Sequence, residues 1–257
     1  MKAKTGRLAL MAMLLMLLAA GLLWWHRARS QDLVWQRLQQ GGSLRVAMDP
    51  SFPPFDTLDA QGQVAGLDVD LARALGQWLH VPVRFIPIAF DGLADAVIAG
   101  KADVVISAFP LDERLTEDVR YSQPYFDAGL LIVVPAQSTL SRPEALSRAT
   151  VAVEWGGQGD AWARAQELPH VLRTETAILA LQAVQTGQAD AALVDAVSAA
   201  LWAGPDMKQL TPPLVSEPYV MVLPANAPKL AAAVDDFLRE VMANGRWQVM
   251  MQRHFRH

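Results

Sequence analysis

From residue 43 onward, short apolar runs alternate with stretches whose apolar residues recur every three or four positions. "SLRVAM" predicts a first strand, and "DPSFPPFD" a proline-broken loop that continues neither helix nor sheet. In "GLDVDLARALGQWLH", Leu67, Leu71, Leu75 and Leu79 repeat at i, i+4 and predict a helix with one apolar stripe. "VPVRFIPI" follows as a strand, "DGLADAVIAG" as a helix ending at Gly100, and "ADVVISAF" as another strand. The pattern restarts after Pro135: "ATVAVEWGG", "HVLRTE" and "ADAALVDA" read as strands, "QGDAWARAQ" and "TAILALQAVQTG" as the helices between them. The chain closes with a strand, "PYVMVLP", a helix over 229–242, a break at Gly245 and a last amphipathic helix, "RWQVMMQRHF". Strands alternating with helices of this length predict an α/β fold of two tandem units, each a mostly parallel sheet flanked by helices.

One phrase occurs twice. "GKADVVISAF" starts at Gly100 and "GQADAALVDA" at Gly187, each after a predicted helix. Each is the helix-to-strand step of one unit, and in open α/β sheets ligands lie beyond the carboxyl ends of the strands. If the two units face one another, the residues just beyond Ile106 and Val194 line one cleft, Arg114 on one side and Asp195 on the other.

Composition separates the first 30 residues from the rest. Residues 8–25 carry no charge and are flanked by Lys2, Lys4, Arg7, Arg27 and Arg29, with Trp24 and Trp25 at an interfacial position. Two readings stand here, an uncleaved membrane anchor and a cleaved signal peptide, and both imply export. The overall charge of −4 becomes −9 once those five basic residues are set aside, which argues against a nucleic-acid partner. Cysteine is absent, so disulfides, thiolate metal sites and a lipidated cysteine are excluded. The five histidines show no metal-ligand spacing, and no nucleophile motif accompanies them, so neither an enzyme, a metal nor a cofactor is expected.

Candidate binding residues each carry two readings. Arg114 is a bidentate carboxylate clamp or a surface partner of Asp112, Glu113 or Glu117. Asp195, interrupting an apolar run, meets a ligand ammonium or caps the helix that follows. The glycine turn at Gly156, Gly157 and Gly159 aims backbone N–H groups at an anion or makes an ordinary turn; it matches no nucleotide-binding motif. Phe52, Phe90 and Phe109 surround an apolar part of a ligand or belong to the core. Asp68 and Asp70 fall at a helix start, where they complement its dipole.

Taken in order, "LRVAMDPSFPPFD", "GQVAGLDVDLARAL", "VPVRFIPIAFDGLADAVIAGKADVVISA", "ERLTEDVRYSQPYFDAGLLIVV", "VAVEWGGQG", "TGQADAALVDA" and "NGRWQVMMQRHF" resemble the type II periplasmic solute-binding proteins, specifically the amino-acid-binding family 3 that serves ABC importers. The resemblance implies a two-lobed clamshell that binds an amino acid or related carboxylate without chemistry and delivers it to an ABC transporter permease. Residues 1–30 read as the signal peptide or anchor and Asp32–Gln40 as a short polar helix ended by Gly41 and Gly42, a stalk over 31–42; the resemblance implies a first lobe of 43–131 and 223–257, a second of 136–218, and a hinge near 132–135 and 219–222. It also implies that Arg114 holds the ligand carboxylate and Asp195 its ammonium, with Gly157 and Gln158 as further donors and Phe52 and Phe90 around the side chain. Asp49, Ser107 and Phe109 complete the expected ligand-binding set. Phe109 stands at the position where the family carries a hydroxyl residue, with Pro110 and Leu111 after it, which implies a remodelled pocket. The implied location is the periplasm or the outer face of the inner membrane, with the N-terminal helix contacting that membrane. Alternatives on the same fold are a membrane-anchored solute-sensing module and a dehydratase-like enzyme.

Overall fold

A computed structural model describes residues 32–255. The chain begins there with α1 (Leu33–Gln39), β1 (Leu44–Met48), the hairpin strands β2 (Thr57–Leu58) and β3 (Val64–Ala65), and α2 (Leu67–Trp78). It continues through β4 (Val83–Pro87), α3 (Leu93–Ile98), β5 (Val104–Val105), β6 (Val119–Tyr121), β7 (Phe126–Asp127) and β8 (Leu130–Pro135). The middle third contains β9 (Val151–Glu154), α4 (Gln158–Ala165), β10 (Val171–Thr174), α5 (Ala177–Gln185), β11 (Ala191–Asp195), α6 (Ala196–Trp202) and β12 (Met207–Val215). β13 (Pro218–Tyr219), β14 (Val222–Pro224), α7 (Pro228–Ala243) and α8 (Arg246–His254) complete it.

Two five-stranded sheets result, ordered β4-β1-β5-β14-β6 and β10-β9-β11-β8-β12. They share one plan. In each, three strands are parallel (β4, β1 and β5; β10, β9 and β11), joined through helices that cover the sheet faces. The fourth strand, β14 or β8, runs antiparallel to its neighbours on both sides. The expectation of mostly parallel sheets is thereby corrected to mixed ones. β8 and β14 enter not through a crossover helix but from a two-stranded ribbon of β7 and β13, so nothing turns them parallel.

The duplicated phrase now has a physical reading. Gly100 (φ 68°) and Gly187 (φ 73°) close the preceding helices in the left-handed conformation that favours glycine. The Lys101 and Gln188 N–H groups then return to Ala96 and Ala183 carbonyls, each at 2.8 Å. The aspartate that follows clamps the neighbouring strand. Asp103 N–H donates to the Arg45 carbonyl (2.9 Å) and its Oδ2 accepts the Arg45 N–H (2.8 Å); Asp190 does the same with Thr150 (both 2.8 Å). Each phrase thus sets the register of a central strand.

Packing follows the period-two alternation of buried strands. Val46, Met48 and Val104 face α2 and α7 in a core with Leu71, Leu75, Phe237 and Leu238, while Ala47, Val105 and Val222 face α3. In the second sheet Val133, Ala152 and Val194 pack under α5, and Ile132, Val134, Val153 and Leu193 pack on the opposite face. The helix expected over 32–40 lies against the first sheet's layer. Asp32 caps it through Trp35 N–H (2.8 Å) and also takes Lys229 and Leu230 N–H at the start of α7 (2.8 and 3.1 Å).

One strand, β12, and one helix, α6, show why parts of the fold escaped the apolar pattern. β12 contains Pro212 and Pro213, which argue against a strand, but it is an edge strand whose outer side needs no ladder donors. The start of α6 is hidden because Asp195, which interrupts the apolar run, is its cap.

The N-terminal helix is also corrected. Among the described residues no helix is long and apolar enough to cross a membrane. The longest, α7, spans 16 residues and carries Lys229, Asp235, Asp236, Arg239 and Glu240. The segment 8–25 lies outside the described residues, so anchoring, membrane contact and a transmembrane or signal helix receive no support from the fold.

Candidate functional site

Beyond the carboxyl ends of β1 and β5 the chain leaves the first sheet in two loops, 49–56 and 106–112. Between them is a cavity of about 320 Å³ lined by Asp49, Ser51, Phe52, Phe90, Ser107, Ala108, Pro110, Glu217 and Tyr219. The proline-rich 49–56 loop and the 3₁₀ turn Phe90–Gly92 place two half-exposed phenyl rings on its walls. Each ring is backed by a buried one: Phe52 stacks on Phe55 (5.8 Å between centroids) and Phe90 on Phe109 (5.3 Å). Phe109 therefore supports Phe90 from behind and does not itself line the cavity.

Asp49, Ser107 and Phe90 are tied together. Asp49 N–H donates to Ser107 Oγ (2.9 Å), and Asp49 Oδ2 accepts Phe90 N–H (2.9 Å). Ser107 Oγ–H donates to Asp56 Oδ2 (2.8 Å). Among the described residues Asp49 and Glu217 are the two carboxylates on the cavity wall, and no lysine, arginine or histidine lines it. Aromatic faces and carboxylates together suit a cation.

The remaining expected residues sit elsewhere. Arg114 lies on the 3₁₀ turn Glu113–Leu115 with its side chain 88% exposed. Its guanidinium forks onto Asp112, Nε to Oδ1 at 2.9 Å and Nη2 to Oδ2 at 2.7 Å, and Asp112 Oδ1 also accepts Arg114 N–H. These bonds hold the Asp112 carboxyl down at about 2. Asp195 caps α6, accepting Ser198 N–H at 2.8 Å, and is close enough to Tyr219 for its charge to help raise that phenol, whose main cause is burial. Gly157 is the N-cap of α4 and Gln158 its first residue. Gly156 (φ 74°) donates its N–H to Asp160 Oδ2 (3.0 Å), which also meets Arg164, while Arg173 Nε donates to Asp160 Oδ1 (3.0 Å). The structure thus brings Asp49, Phe52, Phe90 and Ser107 into one cavity and leaves Arg114, Asp195, Gly157 and Gln158 outside its lining.

Several site residues were not found by sequence reasoning. Glu217 and Tyr219 arrive from the returning ribbon strand β13, far along the chain, and nothing local marks them. Asp68 was grouped with Asp70 as a dipole partner, yet the two point apart. Asp70 is outside, bonded to Arg253 and His254, while Asp68 is fully buried against Ala108 N–H (2.6 Å) and Tyr125 Oη (3.0 Å). Residues two apart on a helix lie about 200° apart in projection, and this would have separated them.

Two mixed α/β sheets joined by a paired ribbon, with an aromatic and acidic cavity at the strand ends of the first, define a protein built to hold a small solute. The chain belongs to the bacterial extracellular solute-binding proteins, family 3, whose family model matches residues 44–257. It is a solute-binding protein. A probable histidine-binding protein of Neisseria gonorrhoeae is 26% identical over 225 residues, covering 84% of each chain. An L-cystine-binding protein of Escherichia coli (strain K12) is 26% identical over 200 residues, 77% of this chain and 74% of its own. Among solved structures, an ancestral cationic amino acid solute binding protein is 30% identical with a TM-score of 0.64, covering 86% of this chain and 98% of that one.

Proposed function

We propose that the protein captures an amino acid carrying a positive side chain and delivers it to an ABC importer. The observation that carries this reading is the cavity wall, where Asp49 and Glu217 stand among Phe52, Phe90 and Tyr219 with no competing cation. Relatives described as binding histidine and cationic amino acids support it. In this reading the two sheets with their helices form the two lobes, and the chain crosses between the ribbon and the second sheet at 128–129 and 216–217; the expected hinge near 132–135 and 219–222 shifts there because 132–135 lies inside β8 of the second sheet and Val222 inside β14 of the first. The β7–β13 ribbon runs beside both crossings, and its Asp127 takes Gly129 and Glu217 N–H and the Ser216 hydroxyl, at 2.9, 2.8 and 2.7 Å.

Closure would bring the second lobe to the cavity. Arg114 would meet the ligand carboxylate and Asp195 its ammonium, with the Gly157–Gln158 turn adding N–H donors. Because Asp112 already occupies Nε and Nη2, the ligand carboxylate either displaces Asp112 or takes Nη1. Charge-assisted bonds of about 1.5–3 kcal/mol each, reinforced as closure excludes water, suffice for micromolar capture.

A thermal-shift series with the twenty amino acids tests the reading. A ligand at about 100 times its dissociation constant adds about 2.7 kcal/mol, which raises the melting midpoint by several degrees. The expected result is a rise with L-arginine, L-lysine or L-histidine larger than with neutral amino acids. No rise with any amino acid overturns it.

A further inference from the structure

Directly beneath the cavity floor lie two carboxyl groups that capture itself does not use. Asp56 and Asp68 are both fully buried, one from the end of the proline loop and one from the first turn of α2. Their side chains are within hydrogen-bond reach of each other. The Oδ1 of each is buried and lacks a conventional donor. Two ionised carboxylates cannot share such a place, because each would be desolvated and repelled by the other. One proton shared by the pair would satisfy both.

The surrounding bonds place that proton on Asp56. Asp68 Oδ2 accepts both Ala108 N–H (2.6 Å) and Tyr125 O–H (3.0 Å), which favours its charged form. Asp56 Oδ2 accepts only the Ser107 hydroxyl (2.8 Å). Burial, before any other cause, pushes both carboxyls up, Asp56 to about 9.

The pair also holds what the ligand would touch. Ala108 lines the cavity with φ 42°, a left-handed conformation costly for alanine, and its N–H is pinned by Asp68 and Tyr125. Ser107 lines it too, spanning Asp56 and the Asp49 N–H. We propose that Asp56 and Asp68 are a proton-sharing pair of positioning residues that fixes Ser107, Ala108 and, through Ser107, Asp49 in the binding cavity, so that solute affinity depends on their proton. Loss of the proton would leave two facing charges, and the Ser107–Ala108 floor must shift to separate them.

The titratable and charged neighbours are accounted for. Asp49 acts on Asp56 from the loop after β1, and Tyr125 acts on Asp68 from the segment before β7. Tyr219 feels Asp68 from β13, together with Glu217 and Asp195. From α8, Arg253 and His254 are engaged by Asp70, on the outward face of α2. None of the groups acting directly on the pair is a cation.

This inference rests on the cavity being the solute site, and the test separates the two. The full-length wild type and Asp56→Asn, which places an N–H donor where the shared proton was, are titrated calorimetrically with L-arginine and L-histidine from pH 6.5 to 10. Ligand titration is common to both proteins and cancels in their ratio. At pH 6.5 the variant is expected to bind within about threefold of wild type, whereas at pH 10, one unit above the carboxyl's midpoint, wild type falls about tenfold behind it. A ratio that stays constant with pH overturns the proton's role while leaving the solute site intact. In parallel, wild type labelled at the aspartate side-chain carbons is followed by NMR without ligand, which requires no variant to fold. Two carboxyls titrating above pH 6, with the Ala108 amide moving in step, support the pair. Aspartates all titrating below about pH 5 overturn it. Heat from neither amino acid in either protein overturns the solute reading and the affinity claim with it, and the NMR titration then decides the pair alone.

Discussion

Asp68 and Asp160 occupy comparable places, each in the first turn of a helix that lies between two parallel strands, β1 and β4 or β9 and β10, and each fully buried. Their surroundings are opposite. Asp160 receives Gly156 N–H and two arginines, so its carboxyl is held below the usual range, the backbone bond being the largest cause. Asp68 receives Ala108 N–H and Tyr125 O–H but faces a second acid, and desolvation lifts it to about 7. The second sheet uses its buried acid as a staple between a turn and a strand. The first uses its own beneath a cavity, where a cation would neutralise what a ligand has to find. Equal topology therefore does not imply equal chemistry.

The duplicated clamps give the largest test of this difference. Asp103 is buried and also takes the guanidinium groups of Arg37 and Arg45, whereas Asp190 is exposed. Asp103→Ala is expected to cost about 3 kcal/mol in urea unfolding and Asp190→Ala under about 1 kcal/mol. Equal losses would mean the arginines add nothing. Next, Arg114→Ala should weaken amino acid binding about a hundredfold by calorimetry with no change in melting temperature, because its side chain is in solvent and its only intramolecular work is the Asp112 fork. Unchanged affinity removes Arg114 from the site.

The two buried acids also predict opposite pH limbs. The raised pKa values of Asp56 and Asp68 mean the native state binds more protons than the unfolded chain from about pH 4 upward. Their contribution is complete below about pH 4 and is lost as pH rises through about 7 to 9. Asp160, lowered, contributes above about pH 4 and loses its contribution as pH falls below it. Unfolding midpoints between pH 3 and 10 should show Asp56→Asn flattening the alkaline decline, and Asp160→Asn softening the acid one. A variant that alters the other limb breaks the comparison.

Smaller effects separate capping from binding. Asp195→Ala should lose about 1 kcal/mol of stability with the α6 cap, while Asp195→Ser keeps an acceptor for Ser198 N–H and loses only the charge. If Asp195 meets the ligand ammonium, both variants bind more weakly and only the first melts lower. Finally, Gly100→Ala and Gly187→Ala should each cost about 1 kcal/mol, since both have positive φ and open space for a Cβ. Unequal values would show that the repeated helix stops are not equivalent.

Much of the architecture was legible because its causes are local. A helix stripe, a left-handed glycine and an aspartate at the head of a strand act within a few residues, so the repeated phrase at 100 and 187 announced two units before any coordinates. Phe52, Phe90 and Ser107 were legible from their places at loops and strand ends and Asp49 only through the family resemblance, and the four meet in one cavity. Sheet direction was not legible, because whether β8 and β14 run parallel depends on the ribbon that delivers them. Nor was the engagement of Arg114, for a guanidinium among Asp112, Glu113 and Glu117 has several local partners and only geometry chooses one.

The chain by itself determined the alternation of strands and helices, the two matched units and the acidic, cysteine-free character of the body. Only the tertiary structure decided that Glu217 and Tyr219 return to the first unit's cavity, and that Asp56 and Asp68 turn inward to hold its Ser107 and Ala108. The reason is physical. Periodicity tells which face of an element is buried, but the partner across that face comes from a distant part of the chain, and it is the partner that sets a buried group's charge.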